Sequence, residues 1–198
     1  PFIIVVTNPL DIMAYTVYKI LGFSRKRVLG MAGVLDTYRF IHFIQKKLNT
    51  NTLNIKTIIL GSHGDTMVPV SSITQVGDKR LVDILSHNEI KELEEKTKNG
   101  GAEIVSLLKT GSAYYAPAAS TVRMIEAIIR DENIVLPCSV YAEGEYNIKD
   151  IFIGLPVVLN KTGFDRIEEI NLTEEEKANL KKSADAIAEQ INKIKDKL

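Results

Sequence analysis

The sequence predicts an α+β domain preceded by a short α/β segment. Three observations carry that prediction. The chain opens on an unbroken apolar run, Ile3-Ile4-Val5-Val6, which reads as a strand buried on both faces, and a helical stretch follows it. Leu35, Tyr38, Ile41, Ile44 and Leu48 recur at spacings of three and four, the pattern of an amphipathic helix. From Ile134 onward the period shifts to strand-like segments parted by polar turns, which reads as an antiparallel meander closed by a helix.

Each element follows from local chemistry. Asn8-Pro9-Leu10-Asp11 ends the first strand, because proline lacks the N–H a ladder needs and suits a first helical turn. Residues 12–21 are the expected helix, stopping near Gly22, and 25–29 a short strand. Gly30-Met31-Ala32-Gly33 is a flexible link, where a boundary is expected between a unit of residues 1–30 and one of 31–198. Residues 35–48 form the amphipathic helix, 54–60 a strand and 69–76 another, with a turn at Gly77-Asp78. Residues 90–108 are helical by pattern, and Gly100-Gly101 inside them predicts a bend or a close contact. Residues 113–130 are a further helix in which Pro117 implies a kink or a late start. The meander strands are 134–142, 151–159 and 164–170, turning around Gly144 and at Asn160-Lys161-Thr162-Gly163. Thr173 and Glu176 have the spacing of a capping box. Behind them Leu180, Ala184, Ile187, Ile191, Ile194 and Leu198 make one apolar stripe, expected to pack on the sheet or on a partner subunit.

Composition excludes several classes. With 45% apolar residues the chain can build a core. Basic and acidic residues number 25 each and form no basic stripe, so nucleic acid and anionic membrane are not expected partners. No apolar run approaches the roughly 20 residues that cross a bilayer. The lone Cys138 cannot form an internal disulfide, which fits a reducing compartment and gives a cytoplasmic expectation. A strand buried on both faces needs neighbours, and nothing precedes this one. The expectation is that more of the natural protein lies upstream.

The candidate chemistry centres on Leu60-Gly61-Ser62-His63-Gly64-Asp65, where an apolar run breaks into a glycine-flanked polar cluster. A histidine beside an aspartate is an oriented general acid/base, and Asp36 and Asp65 compete for the aspartate's role. A Ser62-His63-Asp65 triad is not expected, since sequence neighbours do not easily arrange their side chains in a line and no nucleophile elbow is present. A metal site of His63, Asp65 and Asp36 lacks a second histidine, because His42 falls within a helix and His87 in a polar loop. No metal is therefore expected. Asp36 and Arg39 share a helix face at i and i+3. That spacing alone describes an ordinary surface ion pair, yet an arginine there could grip a carboxylate with two parallel hydrogen bonds. Asn8 is either a turn residue before proline or a ligand-facing amide beyond a strand's carboxyl end.

Together, Val6-Thr7-Asn8-Pro9-Leu10-Asp11, Gly30-Met31-Ala32-Gly33-Val34-Leu35-Asp36-Thr37-Tyr38-Arg39-Phe40, Leu60-Gly61-Ser62-His63-Gly64-Asp65-Thr66-Met67-Val68-Pro69 and Gly111-Ser112-Ala113-Tyr114-Tyr115-Ala116-Pro117-Ala118-Ala119-Ser120 resemble the lactate/malate dehydrogenase family, in its order and across the whole chain. The variants resemble the malate-type members of the lactate-dehydrogenase-like branch. The resemblance implies the α+β substrate domain of that fold, preceded by the last strand and helix of a Rossmann domain. It implies NAD as cofactor and a small 2-hydroxy or 2-oxo acid as substrate, with (S)-malate and oxaloacetate ahead of lactate and pyruvate. It also implies a homo-oligomer, dimer or tetramer, for which the helices around Leu35 and Leu180 offer apolar faces. His63 would be the acid/base and Asp36 would hold its ring. Arg39 would bind the substrate carboxylate, Asn8 would contact substrate oxygen and nicotinamide, and Ser112 and Ala113 would line the pocket. Thr7, Asn8 and His63 would meet the cofactor. The family's glycine-rich phosphate loop, ribose-binding acid and mobile arginine loop have no counterpart in these residues. The expectation is that they lie upstream and that these residues alone bind NAD poorly. A metal-dependent hydrolase built on His63, Asp65 and Asp36 is the more distant alternative.

Overall fold

The computed structural model describes residues 1–52 and 54–198. A five-stranded mixed sheet is its spine, in the order β1 (Ile3–Val5), β2 (Val28–Gly30), β8 (Ile134–Glu143), β9 (Lys149–Asn160), β10 (Gly163–Ile167). The elements between are α1 (Leu10–Leu21), α2 (Gly33–Leu48), β3 (Ile55–Lys56), β4 (Ile59–Leu60), β5 (Val68–Pro69), β6 (Gln75–Val76), β7 (Lys79–Arg80), α3 (Leu81–Ile84), α4 (His87–Leu108) and α5 (Tyr115–Ile129), with α6 (Glu174–Asn192) last.

β1 and β2 are parallel, with Ile3 beside Val28 and Val5 beside Gly30, and α1 connects them as a crossover. β2 then meets β8 antiparallel at Gly30 and Ser139, and β8, β9 and β10 form the expected meander. The first 30 residues thus share one sheet with the last third of the chain. They share a core as well, in which Val5, Leu29, Cys138, Phe152 and Leu155 are buried together. α1, α5 and α6 pack on β9, whereas α2 packs on β8, β4 and α4. A second, smaller core of Phe40, Ile44, Ile59, Met67, Leu81 and Leu93 lies between α2, α4 and the short strands.

Several boundaries depart from expectation for physical reasons. Residues 54–60 split into β3 and β4 because the halves pair differently, β3 with β6 and β4 with β5. Residues 69–76 are not one strand. Thr74 Oγ1 donates to the Val70 carbonyl at 2.9 Å across a 3-10 turn at Ser71–Ile73, and only Gln75–Val76 re-enters a ladder. Residues 25–29 are a 3-10 turn, Arg25–Arg27, leading into β2. α4 starts earlier than its apolar pattern, because Ser86 caps it with Glu89 in a capping box, so His87 opens a helix instead of sitting in a loop. α5 takes the late start, with Pro117 in its first turn, where its missing N–H has no helical partner to lose. Thr173 and Glu176 form the expected capping box. The stripe Leu180, Ala184, Ile187 and Ile191 is buried within the chain's own core, so that face is not free for a partner subunit.

One contact fastens the short-strand region to the sheet. Gly61 donates to the Gly154 carbonyl at 2.9 Å and Gly154 donates back at 3.0 Å. Gly61 holds φ +84, and a Cβ on Gly154 would lie 2.5 Å from the Gly61 carbonyl oxygen. Gly154→Ala is therefore expected to destabilise the protein by about 1–3 kcal/mol, as overpacking does. A fall in the denaturant midpoint at unchanged m-value is the check.

Candidate active site

The site is assembled where α2 begins. Gly33 admits the helix start against its neighbours, since a Cβ there would sit 2.6 Å from Pro137 Cβ and 2.7 Å from the Ile59 carbonyl oxygen. One turn on, Thr37 Oγ1 accepts the Ile59 N–H at 3.0 Å, which ties α2 to the strand leading into His63. Asp36, in the first turn of α2, is only 1% exposed.

Asp36 divides its carboxylate between two partners. Oδ2 meets His63 Nδ1 at 2.8 Å, and Oδ1 accepts from Arg39 Nη1 at 3.0 Å. Arg39 Nη1 also reaches the Thr97 carbonyl at 3.4 Å. The guanidinium arm runs over the glycine pair of α4, where a Cβ on Gly100 would lie 2.7 Å from Arg39 Cδ. Gly100 and Gly101 thus provide a close contact inside a continuous helix.

The backbone around His63 is held by three other elements. The Gly61 N–H goes to β9, as above. The Ser62 N–H is bound by Ser183 Oγ of α6 at 2.8 Å, and the His63 N–H by Asp11 Oδ2 of α1 at 3.1 Å. Asp11 Oδ1 in turn accepts from Ser139 Oγ of β8 at 2.6 Å. Burial pushes the His63 imidazole's pKa down, but its hydrogen bond to Asp36 and the charges of Asp36 and Asp11 outweigh that, and the net shift is upward from the ordinary 6.5. Burial raises the Asp11 carboxyl pKa against the pull of Ser139 and the His63 amide.

Of the residues singled out from sequence, Asp36, His63 and Arg39 are joined by direct bonds. Asp36, not Asp65, is the aspartate against the ring, while Asp65 is exposed. Among the described residues no three His, Cys, Asp or Glu side chains converge to hold a metal ion. Thr7 and Asn8 stand exposed in the turn between β1 and α1. Ala113 lines an apolar groove of about 640 Å³ with Arg39, Leu35 and Ser120, whereas Ser112 is exposed beside it. His63 faces a different, smaller cavity of about 260 Å³ with Asp11, Thr66, Ile187 and Gln190. Asp36 therefore links two recesses and does not sit in one enclosed pocket. Sequence reasoning passed over Asp11, Ser139 and Ser183. The available signal for Asp11 was a carboxylate between Leu10 and Ile12 on a face that is otherwise buried.

The model of the lactate/malate dehydrogenase α/β C-terminal domain matches residues 33–198. Malate dehydrogenase 2 of Aquifex aeolicus is 51% identical over 99% of this chain and 59% of its own length. The crystal structure of Cryptosporidium parvum malate dehydrogenase superposes with TM-score 0.96 at 40% identity, covering 98% of this chain and 64% of that one. The lactate dehydrogenase of the same organism, complexed with lactic acid and nicotinamide adenine dinucleotide, superposes with TM-score 0.95 at 36% identity over 98% and 63%. The chain spans about three-fifths of the length of the curated relatives it matches.

The His63–Asp36 contact sets a pH signature. A pKa raised on folding means that protonated His63 stabilises the fold fully below about pH 6.5, and that this is lost as pH rises through the folded value. Asp36→Asn removes the principal cause of the rise, so the His63 midpoint is expected to move to lower pH. The acid-side stabilisation should shrink with it. An NMR titration of the imidazole C–H signals, paired with denaturant midpoints across that range, checks both.

Proposed function

This chain belongs to the lactate/malate dehydrogenase family, and we propose that it carries the substrate-side machinery of an NAD-dependent malate dehydrogenase interconverting (S)-malate and oxaloacetate. The observation that carries the reading is the single buried carboxylate shared by a histidine and an arginine. With Nδ1 donating to Asp36, His63 keeps Nε2 free to exchange a proton with a substrate oxygen. The upward shift of its pKa favours the protonated form that must exist after the malate hydroxyl gives up its proton. Asp36 steadies that imidazolium and fixes the ring.

Arg39 takes the substrate carboxylate. Asp36 and the Thr97 carbonyl fix one end of its guanidinium through Nη1, and the fork suits a carboxylate's two oxygens. Asn8, exposed beyond the carboxyl end of β1 where α/β sheets receive ligands, offers an amide to the substrate oxygen. Ala113 and Ser112 border the groove on the Arg39 side. Thr7, Asn8 and His63 would meet the nicotinamide end of the cofactor, which when bound supplies the hydride acceptor for malate oxidation. The 198 residues contain no G-x-G-x-x-G stretch, so none is assigned to the pyrophosphate.

Residues 1–30 would belong to the cofactor domain and 31–198 to the substrate domain, supported by a family match that starts at residue 33. A homo-oligomer, dimer or tetramer, is supported by the exposed apolar row Val122, Ile125 and Ile129 on α5, with exposed Tyr38 on α2. A cytoplasmic site of action is supported by the fully buried free thiol of Cys138. A lactate dehydrogenase of the same branch is the second reading, favoured by the match to the lactic acid complex.

NADH oxidation by the full-length protein with oxaloacetate and pyruvate side by side separates the two. Strong preference for oxaloacetate is expected, and preference for pyruvate replaces malate by lactate. His63→Asn should lower kcat by about 10²–10⁴-fold with the fold intact by circular dichroism; near-full activity would refute the role. Arg39→Lys, which keeps charge but loses the fork, should raise KM for oxaloacetate at least about tenfold.

A further inference from the structure

The structure holds a second buried carboxylate against the candidate acid/base, on a different element from Asp36. Asp11 lies in the first turn of α1 and is 4% exposed. Each of its oxygens is used, Oδ2 by the His63 backbone N–H at 3.1 Å and Oδ1 by the Ser139 hydroxyl at 2.6 Å. Ser139 is fully buried on β8 and is held from behind by β2, where a Cβ on Gly30 would lie 2.8 Å from Ser139 Cβ. Asp11 therefore connects the peptide of His63 to the middle of the main sheet through two bonds.

The geometry points to Asp11 as a positioning residue of the dehydrogenase site, whose carboxylate fixes the His63 peptide and stands as a second negative charge beside the ring when it carries the substrate's proton. The inference rests on the dehydrogenase reading for its kinetic consequences but not for its geometry. Both groups bonded to Asp11 donate to it, which favours the ionised form although burial raises the carboxyl's pKa. An ionised carboxylate is an expensive way to hold a loop, since burial penalises the charge. A neutral amide could make the same two bonds. In an Asp11→Asn variant the amide oxygen would accept the His63 N–H and the NH₂ would donate to Ser139 Oγ, because a hydroxyl both donates and accepts. What the amide cannot supply is the charge. Among the described residues the charged groups facing His63 are few. They are Asp36 and Arg39 from α2 and Asp11 from α1, with exposed Asp65 on its own loop. In the cavity it faces, α6 presents Ala186, Ile187 and Gln190, none of them charged.

The test separates charge from scaffolding. Asp11→Asn in the full-length enzyme is expected to fold normally. It should move the His63-dependent limb of the kcat/KM profile to lower pH, in malate oxidation and in oxaloacetate reduction alike. The imidazole midpoint measured by NMR without substrate or cofactor should move the same way. Asp11→Ala, which also removes the acceptor for the His63 N–H, should lower kcat about 10–100-fold, with KM for NADH unchanged. An Asp11→Asn profile and NMR midpoint that both coincide with the parent overturn the proposal, whether or not the alanine variant folds. If the enzyme turns over neither malate nor lactate, the functional reading fails, and the NMR midpoint alone still decides the role of Asp11.

Discussion

The arrangement of this protein hangs on one shared carboxylate. Asp36 is almost wholly out of water, and an isolated buried charge there would be strongly unfavourable. Three things compensate: a hydrogen bond to the His63 ring, a charge-assisted bond from Arg39, and a position in the first turn of α2, where the helix dipole favours an anion. Taking away any one leaves the others facing an incompletely balanced charge, so the three act as a unit. The unit also orients. With one oxygen committed to each partner, the imidazole and the guanidinium take directions fixed by a single side chain that cannot rotate without breaking a bond.

Orienting a ring requires fixing the backbone that carries it. Three consecutive amides, Gly61, Ser62 and His63, are bound by Gly154 of β9, Ser183 of α6 and Asp11 of α1. The sequence separations of the last two are 121 and 52 residues. A loop pinned this way has little freedom to drift, which matters because displacements of about 1 Å at a catalytic group can cost two orders of magnitude in rate. Thr66 adds a bond to Ser183 from the other side of the loop. Gly154 is needed because the two backbones approach closer than a side chain would permit, and Gly61 because it holds φ +84 and a Cβ there would lie 2.9 Å from Ser183 Oγ.

What the sequence disclosed and what it withheld divide along the same line. The meander, the amphipathic α2 and the capped α6 were legible because their signals are local: a period of two, a period near 3.6, and Thr173 three residues before Glu176. The pairing of Asp36 with Arg39 was legible as a helical spacing, but its importance was not, since burial separates a structural pivot from a surface ion pair. The split of residues 54–60 and the break in 69–76 were not legible, because they depend on which distant strand each half pairs with. Gly100 was noticed, yet only the structure shows that its missing side chain makes room for Arg39. Asp11, Ser139 and Ser183 escaped for the same reason. Each is an ordinary polar residue in its own segment and acquires a role only through a partner at least 52 residues away.

The sheet explains why the site falls where it does. β1 and β2 are parallel and joined by a helix, whereas β8 to β10 are antiparallel, so the sheet changes character at the Gly30–Ser139 contact. Asp11 reaches across that junction from the helix after β1 to Ser139 on β8, and from there it holds the loop that follows β4. α2 leaves β2 within three residues and places Asp36 and Arg39 on the same side. His63 at this junction is supported from both parts of the sheet. Its geometry cannot form until the parallel and antiparallel strands have come together, so a complete site requires a completed fold.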